Sequence, residues 1–185
     1  MSTQLFINAH IATGMPGSTA AETAAIQDIL VEDGKFISIA PHLKATLEAQ
    51  GKDMTSVEVV DLGGKLVCPP FCDTHLHLDY VFTARKPGAV NESGTLFEGI
   101  QRWSETKADL TVDEIKERAK IGIAKEMRHG VQFIRSHADV TDPNLTSLKA
   151  LLELKEELKD TVTLQIVSFP QEGMYSYEGP HGESG

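Results

Sequence analysis

From Phe71 onward the sequence alternates strand-like and helix-like segments, and this alternation restricts the fold more than any other feature. Asp73-Thr74-His75-Leu76-His77-Leu78-Asp79 reads as a short strand with period-two alternation. Residues 83–94 read as loop, and 95–107 as helix. Thr111 and Glu114 stand three apart, the spacing of a capping box. The helix they open carries Ile115, Ala119, Ile123 and Met127 on one face, and Gly130 closes it. Residues 131–137 read as the next strand. Asp142-Pro143 reads as the start of another helix, with proline in its first turn and a leucine face from Leu145 to Leu158. Thr163 to Phe169 is the third strand. Helix-connected strands imply a parallel sheet with right-handed crossovers. Two α/β architectures satisfy that order, a doubly wound sheet and a closed barrel. No glycine-rich phosphate loop follows a strand, which counts against dinucleotide binding.

The preceding residues have a different texture. Leu5 to Ile11 reads as a strand. Ile29 to Ile39 reads as a hairpin, with Asp33-Gly34 supplying the positive φ of a type I′ turn. Residues 42–56 admit either a short helix or a loop, and Val57 to Leu62 is a further strand. The expected organisation is therefore a small β unit over 1–64 and an α/β unit over 65–185.

Composition narrows the partners. The chain has 185 residues, 41% hydrophobic and 24% charged, as in a globular protein with its own core. Its 17 basic against 27 acidic residues leave a net charge of -10, which argues against a nucleic-acid backbone and an anionic membrane surface. No apolar run is long enough to span a bilayer, and Met1 to Gly14 lacks the pattern of a secretory signal. The two cysteines, Cys68 and Cys72, make no disulfide framework, so a cytoplasmic setting is expected. In Cys68-Pro69-Pro70-Phe71-Cys72 they read as small buried hydrophobes, or as a two-thiol metal clip.

His75 and His77 are the candidate metal ligands. Residues i and i+2 of a strand project from the same face, so two imidazoles can approach one divalent ion. A solvated strand face with two neighbouring histidines is the alternative. The surrounding segments favour the first. The run from Cys68 through His77 to Asp79 resembles the first barrel strand of the amidohydrolase superfamily, where a proline-rich entry delivers a His-x-His pair. Ser93-Gly94-Thr95-Leu96-Phe97-Glu98-Gly99-Ile100 with Arg102-Trp103 is similar to the loop and helix that follow in bacterial cytosine deaminases. Arg135-Ser136-His137-Ala138-Asp139-Val140 is similar to their second strand, and Phe169-Pro170-Gln171-Glu172-Gly173 to the end of their third. The resemblance runs from about residue 66 to about residue 177; residues 1–64 match only in style.

The resemblance implies a TIM barrel, here as its first three βα units, preceded by part of a small β-sandwich domain. It implies one divalent iron or zinc held by His75 and His77. Gln171 would bond the amide edge of a bound base, and Leu96 would line the pocket through its main chain. The implied reaction is hydrolytic deamination of cytosine to uracil and ammonia, with water activated by the metal. A related ring, isocytosine or a triazine, is the alternative substrate. Absence of a Cys-x-x-Cys sets aside the other zinc deaminase class. His137 reads either as a pocket residue or as a hydrogen-bonded core histidine. Asp73 and Asp79 read either as carboxylates that orient the histidines or as turn and surface acids. His10, His42, His129 and His181 carry no motif and are expected on the surface. The implied proton-transfer residues would lie beyond Gly185. Residues 65–185 are roughly half of the ~250 a TIM barrel takes, so this stretch alone is expected to be an inactive N-terminal portion or a decayed product. Homo-oligomerisation is the expectation for the full-length family.

Overall fold

The computed structural model describes residues 2–11 and 25–174. His181 and the Gly-, Tyr- and Glu-rich tail lie outside the described residues. The chain divides into two compact units, Met1–Pro69 and Pro70–Gly185.

In the first unit, β1 (Thr3–Ile11), β2 (Ile26–Glu32), β3 (Lys35–Ala40), β4 (Val57–Asp61) and β5 (Leu66–Val67) form one sheet of order β3-β2-β1-β4, with β5 also on β1. The expected hairpin joins β2 to β3, with φ of 48° at Asp33 and 75° at Gly34. Those two left-handed residues match the twist of the flanking strands. Residues 42–56 form α1 (Leu43–Ala49) and a 3-10 turn (Met54–Ser56). Leu43 closes a core with Leu5, Leu30 and Val57. A bulge in β1 at Asn8 is stapled by Asp28, whose carboxylate accepts the Asn8 amide at 3.1 Å.

The second unit is a three-stranded parallel sheet, β6 (Phe71–Leu76), β7 (Val131–Asp139) and β8 (Thr163–Phe169), in that spatial order. Two helices, α2 (Leu96–Lys107) and α3 (Val112–Arg128), connect β6 to β7, and α4 (Thr146–Glu157) connects β7 to β8. Each new strand is added at the same edge. That is the winding of a barrel; a doubly wound sheet would reverse direction. Alternation on β7 sorts the two faces. Ile134, Ser136 and Ala138 are buried toward the helices, while Phe133, Arg135 and His137 lie on the other face. The helix side is apolar, with Ile115, Ala119 and Ile123 of α3 and Ala150, Leu151 and Leu154 of α4 at its centre. Each buried Ile or Leu there contributes about 1.5–3 kcal/mol.

The helix ends show two departures from expectation. Thr111 caps α3 by accepting the Glu114 amide at 3.2 Å, but the Glu114 carboxylate pairs with Lys86 at 2.6 Å rather than reaching back. Only half of the capping box forms. The helix expected from Asp142-Pro143 begins at Thr146 instead. The Asp142 carboxylate accepts the Asn144 and Thr146 amides at 3.0 and 2.9 Å, and Leu145 turns left-handed with φ of 52°. Asp142 therefore folds the approach to the helix, and Pro143 belongs to that turn. The cysteines also depart. Both thiols are exposed. Cys68 sits in the two-proline connection outside any strand, and Cys72 lies on β6, an outer strand of its three-stranded sheet.

Candidate functional site

The first strand is shorter than the alternation suggests. β6 ends at Leu76, and residues 78–82 turn away. Arg118 of α3 holds that turn, donating to the Val81 carbonyl at 2.6 Å and to the Asp79 carbonyl at 3.0 Å. His75 is thus the last inward-facing residue of the strand, and His77 lies just beyond its end. The Asp73 carboxylate accepts the His75 amide at 2.9 Å. Asp73 therefore holds the backbone at His75.

Three imidazoles meet at the carboxyl ends of the strands. His75 and His77 lie 5.2 Å apart between ring centroids, and His137 of β7 stacks on His75 at 4.3 Å. Phe169, the last residue of β8, sits 5.3 Å from His77 and 5.8 Å from His137. The carboxyl end of a parallel sheet is where barrels build their sites. Burial, then the neighbouring imidazoles of His75 and His137, push the pKa of His77 below its ordinary value. Its ring is neutral at neutral pH, with a lone pair to offer. The Nδ1 atoms of His77 and His137 are buried without a hydrogen-bond partner. These features fit half of a metal donor set. Among the described residues no three His, Cys, Asp or Glu side chains stand in position to hold an ion together. His137 stacks on His75 instead of converging with it on a shared centre.

A cavity of about 350 Å³ lies beside the imidazoles, lined by Leu96, Gln171, Asn91, Tyr80 and Trp103 among others. The ring of Tyr80 links it to the histidines, at 4.7 Å from His77 on one side and 4.7 Å from Trp103 on the other. Burial, then the charges of Asp79 and Asp139, push the Tyr80 phenol up to about 12, so it stays protonated. Leu96 is the first residue of α2, capped by Thr95, whose hydroxyl accepts the Glu98 amide at 3.3 Å. The loop before it is tied by Glu98, which accepts the Ser93 amide at 2.7 Å and the Glu92 amide at 3.1 Å. The structure thus brings Leu96 and Gln171 onto one cavity, with His75 and His77 adjacent to it.

Behind this surface runs a buried polar network. Asp139 closes β7 and is 1% exposed. Its Oδ1 accepts the Thr141 amide and hydroxyl at 2.8 and 2.6 Å, and its Oδ2 accepts the Trp103 indole at 2.6 Å and Lys107 at 3.2 Å. Burial alone would raise its pKa, but the Thr141, Trp103 and Lys107 contacts outweigh that and hold it below the ordinary value. Asp79 is fully buried, and its Oδ2 accepts the Asp139 amide at 2.9 Å. Burial, together with repulsion from Asp139, pushes its carboxyl up to about 6. Asp79 is thus neither a surface acid nor bonded to the histidines. It ties the turn after β6 to the end of β7. His42 and His129 are exposed. Lys107 carries no sequence signal, since a lysine in the last turn of a helix is ordinary. Tyr80 and Asp139 lie inside segments with a pattern, yet nothing in that pattern marks them for the cavity or the network.

Comparison with known proteins identifies the family. The model of the amidohydrolase family matches residues 58–184. N-isopropylammelide isopropyl amidohydrolase from Pseudomonas sp. (strain ADP) is 30% identical over 159 residues, which cover 84% of this chain and 37% of that protein. The solved structure of 5-methylcytosine deaminase from Klebsiella pneumoniae with 5-fluorocytosine superposes with a TM-score of 0.75 at 38% identity, over 96% of this chain and 38% of that one. Pterin deaminase from Rhizobium rhizogenes is 28% identical over 80% of this chain and 32% of that protein. The chain therefore spans less than two fifths of the length of these relatives.

Proposed function

The chain belongs to the amidohydrolase family, and from that premise we propose that it carries the base-binding wall and the first two metal ligands of a hydrolase that deaminates cytosine. The observation that supports this reading most is the single cavity shared by Gln171 and Leu96, walled by a tyrosine that stacks on His77. Cytosine is a flat ring with a donor-acceptor edge. Gln171 offers a donor and an acceptor side by side, which suits that edge. Tyr80 and Trp103 supply an aromatic wall against which its ring can pack. His75 and His77 would hold a divalent iron or zinc, and such an ion, when bound, supplies a water acidic enough to attack at neutral pH. The chain's own part is to bind and orient. Tyr80, kept protonated, can donate but cannot take a proton at neutral pH. The remaining ligands and the proton-transfer groups have no counterpart among the described residues. The cytoplasmic setting and the homo-oligomer go with the same reading.

A triazine ring is the second reading, favoured by the 30% identity to the isopropylammelide hydrolase. One titration separates them. The chain with zinc is added to 5-fluorocytosine and the fluorine resonance is followed by NMR. The expected result is broadening that excess cytosine reverses and that Gln171→Ala and His77→Ala each weaken. Reversal by N-isopropylammelide but not by cytosine favours the triazine. A fluorine resonance unchanged at high chain concentration, with neither ring binding, refutes the proposal.

A further inference from the structure

We propose that Lys107 is a positioning residue for Gln171, acting through Glu172; this rests on the reading of Gln171 as the residue that meets the base. Lys107 closes α2, the helix whose first residue is Leu96 and whose Trp103 walls the cavity. Its ammonium lies 2.7 Å from the Glu172 carboxylate, 3.2 Å from Asp139 and 2.7 Å from the Thr141 hydroxyl. It donates hydrogen bonds to Asp139 and Thr141, and Glu172 completes its surroundings as an ion-pair partner. The side chain is 12% exposed, Asp139 1% and Glu172 26%. An ion pair in the open would hold little. Here the lysine end is shielded from water and fixed on a second side by a buried carboxylate.

Gln171 sits in a tight turn just past the end of β8. Its amide donates to Phe169 at 3.0 Å, and the Gly173 amide donates to Pro170 at 3.0 Å. Those two bonds shape the turn but do not say where it points. The Lys107–Glu172 pair does, by joining the residue next to Gln171 to the helix that forms the facing wall. Trp103 and Lys107 stand one helical turn apart, so both reach the same oxygen of Asp139. One carboxylate therefore aligns the aromatic wall and, through Lys107, the amide opposite it. The distance across the cavity is set by these groups and not by the base.

The test compares wild type with Lys107→Met, Lys107→Arg and Glu172→Gln by amide hydrogen exchange, and then by fluorine NMR with 5-fluorocytosine. Glu172→Gln alters a side chain at the rim and leaves the network around Asp139 in place, so it keeps the test sound if Lys107→Met unfolds. Expected is exchange at Gln171 and Gly173 roughly tenfold faster in Glu172→Gln, with β8 amides and the unfolding midpoint unchanged. Affinity for 5-fluorocytosine should fall by a similar factor, Lys107→Met should show both effects, and Lys107→Arg should keep both at wild-type values. Unchanged exchange at Gln171 and Gly173 in Glu172→Gln overturns the proposal. If wild type binds no 5-fluorocytosine, the base-binding reading fails, and the exchange result still decides the role of Lys107.

Discussion

Asp139→Asn is the substitution that most directly tests whether the network behind the site holds the second unit together. The carboxylate has four partners in four directions, two on each oxygen. An asparagine keeps the shape but turns one oxygen into an NH2 group. Whichever way the amide is flipped, at least one buried donor then faces a donor. Either Trp103 and Lys107 lose their acceptor, or the Thr141 amide does, while the Thr141 hydroxyl can turn and accept. Leaving a buried donor without a partner costs about 1–3 kcal/mol, and breaking a buried ion pair on one side about 3–5 kcal/mol. These overlap, so a loss of about 4 kcal/mol is expected, a large share of a typical stability of ~5–15 kcal/mol. Trp103 is the chain's only tryptophan and donates to Asp139 itself. Its fluorescence in a urea titration therefore reports the unit that carries the change. The pH dependence adds a second check. The pKa of Asp139 is depressed in the folded state, so its contribution is present above its ordinary value of 3.8 and is lost as pH falls through the folded value. The gap between wild type and variant should close in acid. A loss under about 1 kcal/mol at neutral pH, or a gap that does not depend on pH, would show that the network is not what holds β7 to α2.

Three further outcomes follow from the same structure. Glu98 is held down to about 2 by the Ser93 and Glu92 contacts and by Arg102; its hold on the 92–98 loop is complete above the ordinary value of 4.5 and lost as pH falls toward about 2. A carboxyl-carbon NMR titration with a midpoint near the ordinary value would contradict this. Arg118→Met removes both ties to the turn after β6, with an expected loss of about 2–3 kcal/mol and faster amide exchange over residues 79–83; protection unchanged there would show that the turn holds itself. Gly130→Ala places a side chain at φ of 85°, where a Cβ would meet the Phe71 ring at 3.5 Å; thermal melting should show a cost of about 1 kcal/mol or more, and an unchanged midpoint would refute it.

The parts of the fold legible in the sequence are those with local causes. The Asp33-Gly34 hairpin, the Thr111 cap and the three barrel strands rest on residues that act on their immediate neighbours. What escaped the sequence is what distant residues decide. Lys86 stands 28 residues before Glu114 in the numbering and still takes the carboxylate that the capping box needs. Asp142 folds its own turn because its two oxygens reach the amides at 144 and 146 ahead of any helix. The strand carrying His75 stops early because Arg118, on the second helix after it, holds the Asp79 and Val81 carbonyls out of strand geometry. Each is a long-range contact overriding a local preference, and none leaves a mark on the residues it acts upon.

The same distinction separates the two halves of the site. His75 and His77 stand two positions apart, and their rings lie 5.2 Å apart although the strand ends between them, so their pairing is visible in three consecutive letters. Leu96 and Gln171 share a cavity because Trp103 and Lys107 tie α2 to Asp139 at the end of β7, and β8 is laid down on the far side of β7 from β6. No pattern within either segment contains that meeting. Only the winding does. If β8 were placed on the other side of β6, as a doubly wound sheet would require, Phe169 would leave His137, and Gln171 would follow it away from Leu96. The order β6-β7-β8 is therefore the physical condition for the cavity. A register shift or reversed pairing of β8 would destroy the proposed base-binding wall while leaving the His-x-His pair untouched.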